Sequence, residues 1–310
     1  MQIRVLGSSA GGGFPQWNCH CRNCRNVRAG TPGLRARTQS SLAVSATGRD
    51  WVLLNASPDL RQQINDAPAL SGADGGAMRD SPIKAAVLTN ADVDHVAGLL
   101  NLREMQPLNV YGTSRVLSTL AANSLFNVLS PDLVPRIGLP LDRPVDLESC
   151  GKPLGLTVEA FAVPGKVALY LEDASAGPGL GTQKGDTIAL KVSKTGSGAY
   201  FIYMPACARV DTDVVARVKG APLVFFDGTL YTDDEMLQQG LMPKTGNRMG
   251  HISIAGPSGS IAAFDGLGVG RKVYVHINNS NPVLDENSPE HAATRAAGWE
   301  VGYDGMEITL

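Results

Sequence analysis

Apolar residues in this chain gather into short runs at 3–6, 41–45, 51–54, 85–89, 156–163, 187–192, 199–204, 223–227 and 272–277. Most of these runs are continuous or nearly so, the pattern of strands covered on both faces. Helical spacing lies between and after them, at 59–65, 93–102, 114–123, 211–219, 233–239 and 289–297. Asp211 stands where an N-cap belongs and Pro289 where a first-turn proline belongs, and Gly220 and Gly298 follow the last turns as stop signals. Strand runs and helices mix in both halves, which predicts stacked layers with sheets inside and helices outside. Two insertions, 71–82 and 174–185, are rich in Gly, Ala, Asp or Pro and read as loops of the kind where lids and binding residues reside. Neither divides the chain, so one α/β domain of two sheets is expected over residues 1–310.

Composition narrows the function classes. A formal net charge of −2 and a pI of about 6.2 lack the basic footprint of a nucleic-acid binder. Aromatics at 5 % give little support to a base-stacking surface. A hydrophobic fraction of 43 % with 18 % charge is that of a folded globule. Glycine at 35 residues and proline at 19 are plentiful but fall short of low complexity, and fit a loop-rich, enzyme-like scaffold. No apolar run approaches the roughly 18 residues a membrane helix needs. The start, Met1-Gln-Ile-Arg-Val-Leu-Gly7, is strand-like and lacks the apolar core of a signal peptide, so a cytoplasmic protein without membrane or nucleic-acid partners is expected.

Three clusters carry chemistry. Cys19-x-Cys21-x-x-Cys24 packs three of the five cysteines into six residues, which favours a reduced metal site over a disulfide framework. Thiolates are soft ligands suited to zinc, and a tetrahedral structural site needs a fourth donor from elsewhere, since His20 is flanked by ligands and its reach is strained. The second cluster, Asn90-Ala-Asp92-Val-Asp94-His95, follows the apolar run that ends at Leu88 and leads into a helix. It therefore falls at the carboxyl edge of a sheet, where α/β sites form, and Asp92, Asp94 and His95 are spaced to reach one cation. The plainer reading is an acidic helix start with a packed histidine. The third, Val273-Tyr-Val-His276-Ile-Asn-Asn, places a histidine at a strand exit, able to complete a site with Asp94 and His95. His251 is a candidate acid–base or substrate group, and His291 lies in an apparent surface helix.

These segments resemble the metallo-β-lactamase superfamily, whose signature is His-x-His-x-Asp-His. More narrowly, the chain resembles the PqqB family of pyrroloquinoline quinone (PQQ) biosynthesis proteins. That resemblance rests on Gly7-Ser-Ser-Ala-Gly-Gly-Gly-Phe-Pro-Gln-Trp-Asn-Cys19, Arg37-Thr-Gln-Ser-Ser41 and Asn55-Ala-Ser-Pro-Asp-Leu-Arg-Gln-Gln63. It extends through Val163-Pro-Gly-Lys166, Leu171-Glu-Asp173, Phe226-Asp-Gly-Thr229, Met249-Gly-His-Ile252 and Val275-His-Ile-Asn-Asn279. The fold it implies is a four-layer αββα sandwich with two central mixed sheets. Measured against the hydrolase signature, Asn90 and Asp92 replace the first two histidines, while Asp94 and His95 match the last two and His276 matches a late metal histidine. Lys166 stands at a further histidine position and Ala206 at that of a bridging aspartate. A two-metal clamp on water would be crippled by these changes. Asp94, His95 and His276, with Asp92 nearby, form the two-histidine, one-carboxylate set of a non-haem Fe(II) oxygenase.

The resemblance implies a role on a Glu–Tyr-derived precursor, with oxygen insertion into the tyrosine ring as the expected reaction. The expected cofactors are active-site Fe2+, with Zn2+ or Mn2+ as alternatives in the isolated protein, and a structural Zn2+ at Cys19, Cys21 and Cys24. Arg61, Lys166, Arg209 and Arg248 are the candidates for binding substrate carboxylates, and His251 for proton relay. In related phosphodiesterases the fourth zinc ligand is a histidine three residues after the late metal histidine. That position is Asn279 here, a poor zinc ligand, so the fourth donor is open and His276 is a competitor for it. The rival readings are a non-catalytic carrier that binds PQQ and aids its transport toward the periplasm, and a residual metal-dependent hydrolase. A homodimer is left open.

Overall fold

The computed structural model describes residues 1–72, 77–177 and 179–310. Residues 73–76 and 178, inside the two insertions, lie outside the described residues. The strands are β1 (Gln2–Gly7), β2 (Ser41–Ser45), β3 (Trp51–Leu54), β4 (Ile83–Val87), β5 (Asn109–Gly112), β6 (Arg136–Gly138) and β7 (Pro144–Ser149). They continue as β8 (Lys152–Ala162), β9 (Ile188–Lys194), β10 (Tyr200–Met204), β11 (Leu223–Asp227), β12 (Arg271–Val275), β13 (Glu300–Val301) and β14 (Glu307–Thr309). One sheet has the order β14-β1-β2-β3-β4-β5-β6 and the other β13-β12-β11-β10-β9-β8-β7. In the first, the pairings from β14 to β3 are antiparallel and those from β3 to β6 parallel; in the second, those from β7 to β10 are antiparallel and those from β10 to β13 parallel, so the two sheets repeat one mixed plan.

The continuous apolar runs have a direct explanation in this packing. Leu42, Val44, Val52, Leu54, Phe201, Tyr203, Phe225, Val273 and Val275 face the seam between the sheets. The alternate residues of those strands face outward and are covered by helices. Ala43 and Leu53 pack with Leu60, Leu99, Val116 and Leu120 on one side. Ile202, Met204, Val224, Phe226 and Tyr274 pack with Val214, Val218, Phe264 and Trp299 on the other. Parallel pairs require crossover connections, and these supply the outer helices.

Several elements differ from the sequence reading. The segment 93–102 is one α-turn, Val93–Val96, followed by a 3-10 helix, Ala97–Leu102. Gly98 explains this: its nitrogen bonds the Ala56 carbonyl, and a Cβ there would sit 2.0 Å from the Ser57 carbonyl oxygen. The strands Arg136–Gly138, Pro144–Ser149, Glu300–Val301 and Glu307–Thr309 were not legible, being short or polar and pairing at sheet edges, and neither were the inner strand Asn109–Gly112 and the helix Arg22–Arg28.

Candidate metal centre and the cavity around it

The carboxyl ends of β4, β8, β10, β11 and β12 converge on one edge of the sandwich, and the loops leaving them carry the chemistry. After β4, Asn55 bonds the Thr89 backbone and hydroxyl through Oδ1, which fixes the exit of that strand. The next residue, Asn90, accepts the Asp92 backbone N–H at 3.0 Å and the His95 Nδ1–H at 2.7 Å. His95 is thereby held with its proton on Nδ1 and its lone pair on Nε2. That Nε2 atom is buried and has no hydrogen-bond partner. An orphaned acceptor of this kind is costly unless a cation or proton fills the place in front of it.

His276, at the end of β12, approaches from the other sheet. Its Nδ1 lies 2.9 Å from the Thr229 hydroxyl and its Nε2 lies 3.0 Å from Asp94 Oδ2. The same Asp94 oxygen is 3.8 Å from His95 Nε2. One carboxylate and two imidazoles from separate loops therefore face a common point, with donor atoms of all three within 4.8 Å of one another. Burial alone would raise the Asp94 pKa, but the adjoining His95 and His276 outweigh it and hold the carboxyl below the ordinary range. Burial lowers His95 to about 4, which keeps it neutral as a ligand must be. His276 moves the other way: burial disfavours its charge, but the Asp94 hydrogen bond and charge raise its pKa.

Asp92 is turned toward a different set of partners. Its Oδ1 accepts the Leu169 N–H at 3.1 Å and lies 3.9 Å from Lys166 Nζ. Lys166 also faces Glu172 at 3.5 Å, and Glu172 in turn binds Arg248 at 3.0 Å. Arg248's hydrogen bond is the leading reason that Glu172 stays below its ordinary pKa. These charges tie the β8–β9 connection over the mouth of the metal cluster.

Beside the cluster lies a dyad of His251, expected from the sequence as a proton relay, and Asp227, which the sequence marked only as part of Phe226-Asp-Gly-Thr229. Asp227 is fully buried; its Oδ2 accepts His251 Nδ1–H at 2.7 Å and the Cys207 N–H at 2.9 Å. Its Oδ1 accepts the Thr229 hydroxyl at 2.7 Å. His251 stacks on His276 with ring centroids 5.1 Å apart. An aspartate that orients a histidine in this way leaves Nε2 as the free nitrogen of a side chain lining the cavity.

The cavity itself has a volume of about 470 Å3. Leu169, Met236, Leu241, Met242 and Met249 make an apolar wall, and Gln16, Asn18 and Asn278 supply amides. Of the four cations expected to bind substrate, Lys166 and Arg248 line it. Arg61 and Arg209 do not. Arg61 is an exposed residue of the helix Leu60–Asn65, and Arg209 lines a separate surface hollow beside Asp211. Lys244, not singled out from the sequence, takes their place on the cavity wall.

The three cysteines come together as expected. Their Sγ atoms form a group within 4.8 Å. The Asn279 side-chain amide sits on all three, with Nδ2 at 3.1, 3.7 and 3.2 Å from the sulfurs of Cys19, Cys21 and Cys24. His276 belongs to the Asp94 cluster and not to the sulfurs, which removes the competition foreseen for it.

A family model described as a beta-lactamase superfamily domain matches residues 50–277. The coenzyme PQQ synthesis protein B of Gluconacetobacter diazotrophicus is 51 % identical, over 100 % of this chain and 99 % of its own. The chain belongs to the coenzyme PQQ synthesis protein B family. A second PqqB relative, from Xanthomonas campestris pv. campestris, is 50 % identical with both chains fully covered. The crystal structure of Zn2+-bound PqqB from Methylobacterium extorquens superposes with a TM-score of 0.92 at 46 % identity, covering both chains completely. The chain thus has the metallo-β-lactamase fold, with two mixed sheets flanked by helices.

Proposed function

We propose that this chain works in PQQ biosynthesis as an iron(II)-dependent oxygenase that hydroxylates the tyrosine ring of a Glu–Tyr-derived precursor. The observation that carries the reading is the convergence of two histidine nitrogens and one carboxylate oxygen, with each histidine's far nitrogen already engaged. The names of the full-length relatives support the pathway. The donor set fits iron: the buried, unpartnered Nε2 of His95 asks for a cation, and a facial two-histidine, one-carboxylate set leaves positions open. Bound there, iron would supply activation of O2.

The chain's own residues do the rest. Asn90 and Thr229 hold the two imidazoles in register, as second partners of metal histidines do. Lys166, Lys244 and Arg248 offer positive charge to the substrate's carboxylates, while the Met236, Met242 and Met249 wall takes its ring. His251, oriented by Asp227, holds or accepts the phenol proton. One ring C–H becomes C–OH and the second oxygen atom leaves as water, with two electrons and two protons drawn from an external small-molecule reductant. A structural Zn2+ at Cys19, Cys21 and Cys24 completes the proposal.

The test is anaerobic loading with Fe(II), then air, a Glu–Tyr substrate and a reductant, followed by mass spectrometry. Iron-dependent gain of one or two oxygen atoms that is lost in His95→Ala supports the reading. No oxygenated product from the iron-loaded protein, with tight PQQ binding retained in the same variant, would replace it with the carrier.

A further inference from the structure

The cavity wall carries a carboxylate of its own, and it stands where the cavity's cations converge. Glu172 lies in the β8–β9 connection with its side chain 12 % exposed, and it lines the cavity together with Lys166, Lys244 and Arg248. Arg248 meets it as a fork, Nη2 to Oε2 at 3.0 Å and Nη1 to Oε1 at 3.4 Å. Lys166 Nζ stands 3.5 Å from Oε1. The Arg248 hydrogen bond, with the charges of Lys166 and Lys244 behind it, holds the Glu172 carboxyl below its ordinary range.

Two of these cations are therefore already engaged. Lys166 has three N–H donors, and it faces Glu172, the Val167 carbonyl at 3.2 Å and Asp92 at 3.9 Å. Both terminal nitrogens of Arg248 face one carboxylate, so a ligand carboxylate that takes the same fork must replace Glu172 there. The segment that carries Glu172 is lightly held. Its turn, Leu169–Leu171, buries none of its three side chains. It is tied to the β4 exit by polar contacts, the Leu169 N–H to Asp92 and the Tyr170 hydroxyl to the Ala91 carbonyl at 2.8 Å. A turn with so few apolar contacts opens at small cost.

We propose that Glu172 is a resident competitor for the substrate's carboxylate: it fills the anion subsite made by Lys166, Lys244 and Arg248, and a ligand enters by exchanging a carboxylate of its own for it. This rests on the reading of those three cations as carboxylate binders. An internal carboxylate competes at high effective concentration. A ligand displaces it only with a carboxylate backed by further contacts, such as a ring on the Met236, Met242 and Met249 wall. Glu172 thus determines specificity, admitting aromatic ligands that carry carboxylates and turning away phenols that lack them.

The experiment measures binding by calorimetry at fixed ionic strength, on the full-length protein and without turnover. The probes are the Glu–Tyr dipeptide and the same dipeptide with both carboxyls as amides. Glu172→Gln keeps the size of the side chain and removes its charge. It should bind the acid about tenfold more tightly than the parent, the scale of one part-buried charge-assisted pair, and the diamide no more tightly. Arg248→Gln should weaken binding of the acid. A Glu172→Gln protein that binds the acid equally or less well makes Glu172 a mere anchor of its segment and overturns the proposal. A gain shared by acid and diamide overturns it too, because removing the charge would then have only loosened the wall. If Arg248→Gln binds the acid like the parent, or no protein binds it at all, the reading of the cations fails and the proposal with it. That outcome is distinct from one in which Arg248→Gln loses affinity and Glu172→Gln gains none.

Discussion

Glu235 opens the helix Glu235–Gln238 beside the cavity and is 4 % exposed, an unusual place for a carboxylate. It accepts the Tyr231 N–H at 2.8 Å and the Ser280 hydroxyl, and no cation balances its charge among the described residues. Burial, as the leading cause, raises its pKa from 4.5 to about 7 against the pull of those hydrogen bonds. The fold therefore holds the Glu235 proton more tightly than the unfolded chain does. The contribution of this group to stability is full below pH 4.5 and declines as the pH rises through the window up to about 7, levelling off above it. A shift of that size corresponds to about 3 kcal/mol once the carboxylate is ionised in place. Glu235→Gln keeps one oxygen for the Tyr231 N–H and offers an N–H to Ser280, while removing the ionisation. The variant should be more stable than the parent by up to about 3 kcal/mol at about pH 8, a rise of roughly 5 °C or more in melting temperature for a domain of this size. At about pH 4 the gap should close. Urea melts of both proteins across that range are the assay. A gap that does not change with pH, or a variant less stable than the parent at high pH, would refute the argument that burial of this charge is what the fold tolerates.

Four further outcomes are expected. Asp227→Asn should leave iron content intact but cut turnover by roughly a hundredfold or more, since it removes the acceptor that orients His251; an unchanged rate would remove the dyad from the reaction. His95→Ala should abolish iron retention on dialysis, measured by elemental analysis, while zinc at the cysteines stays. Gly98→Ala should lower the melting temperature through overpacking worth about 1–3 kcal/mol, because its Cβ has no room against the Ala56–Ser57 backbone. Cys24→Ser should loosen zinc and weaken iron binding together, because the loop it anchors carries His276; iron affinity equal to the parent's would separate the two centres.

How much of this was legible from sequence depends on how far each partner lies along the chain. The sandwich was readable because both faces of its central strands are buried, and that leaves continuous apolar runs with no need of tertiary knowledge. Asp94 and His95 were readable because they share one strand exit, and His276 because a histidine after Val273–Val275 repeats the same arrangement. The cysteine cluster was readable because three thiols lie within six residues. Partners that meet only through the fold escaped. Asp227 reaches His251 across 24 residues, and nothing local marks the pairing. Asn90 looked like a lost ligand, whereas its oxygen orients His95 five residues on, a role visible only once the α-turn has closed. Arg61 and Arg209 were chosen for charge alone, and charge does not say which side of a sheet edge a side chain leaves from.

Asn279 is the sharpest case. Judged by residue type it is a poor zinc ligand, and the sequence gives it no other role. Its position does: the side-chain amide lies against all three cysteine sulfurs. The six residues from His276 to Asn281 serve two centres at once, and His276 must adopt a left-handed backbone, with φ of +55°, to do so. A non-glycine residue holds that conformation only when its surroundings over-determine it. Here the determination comes from both sides, from Thr229 and Ser8 at the metal cluster and from Asn23 and the cysteines at the other end. An asparagine suits that end because its amide is short and its backbone is already spoken for. The cysteine cluster is in this sense part of the scaffold of the proposed metal site, and the position of His276 is set in part by residues more than 250 positions away in the chain.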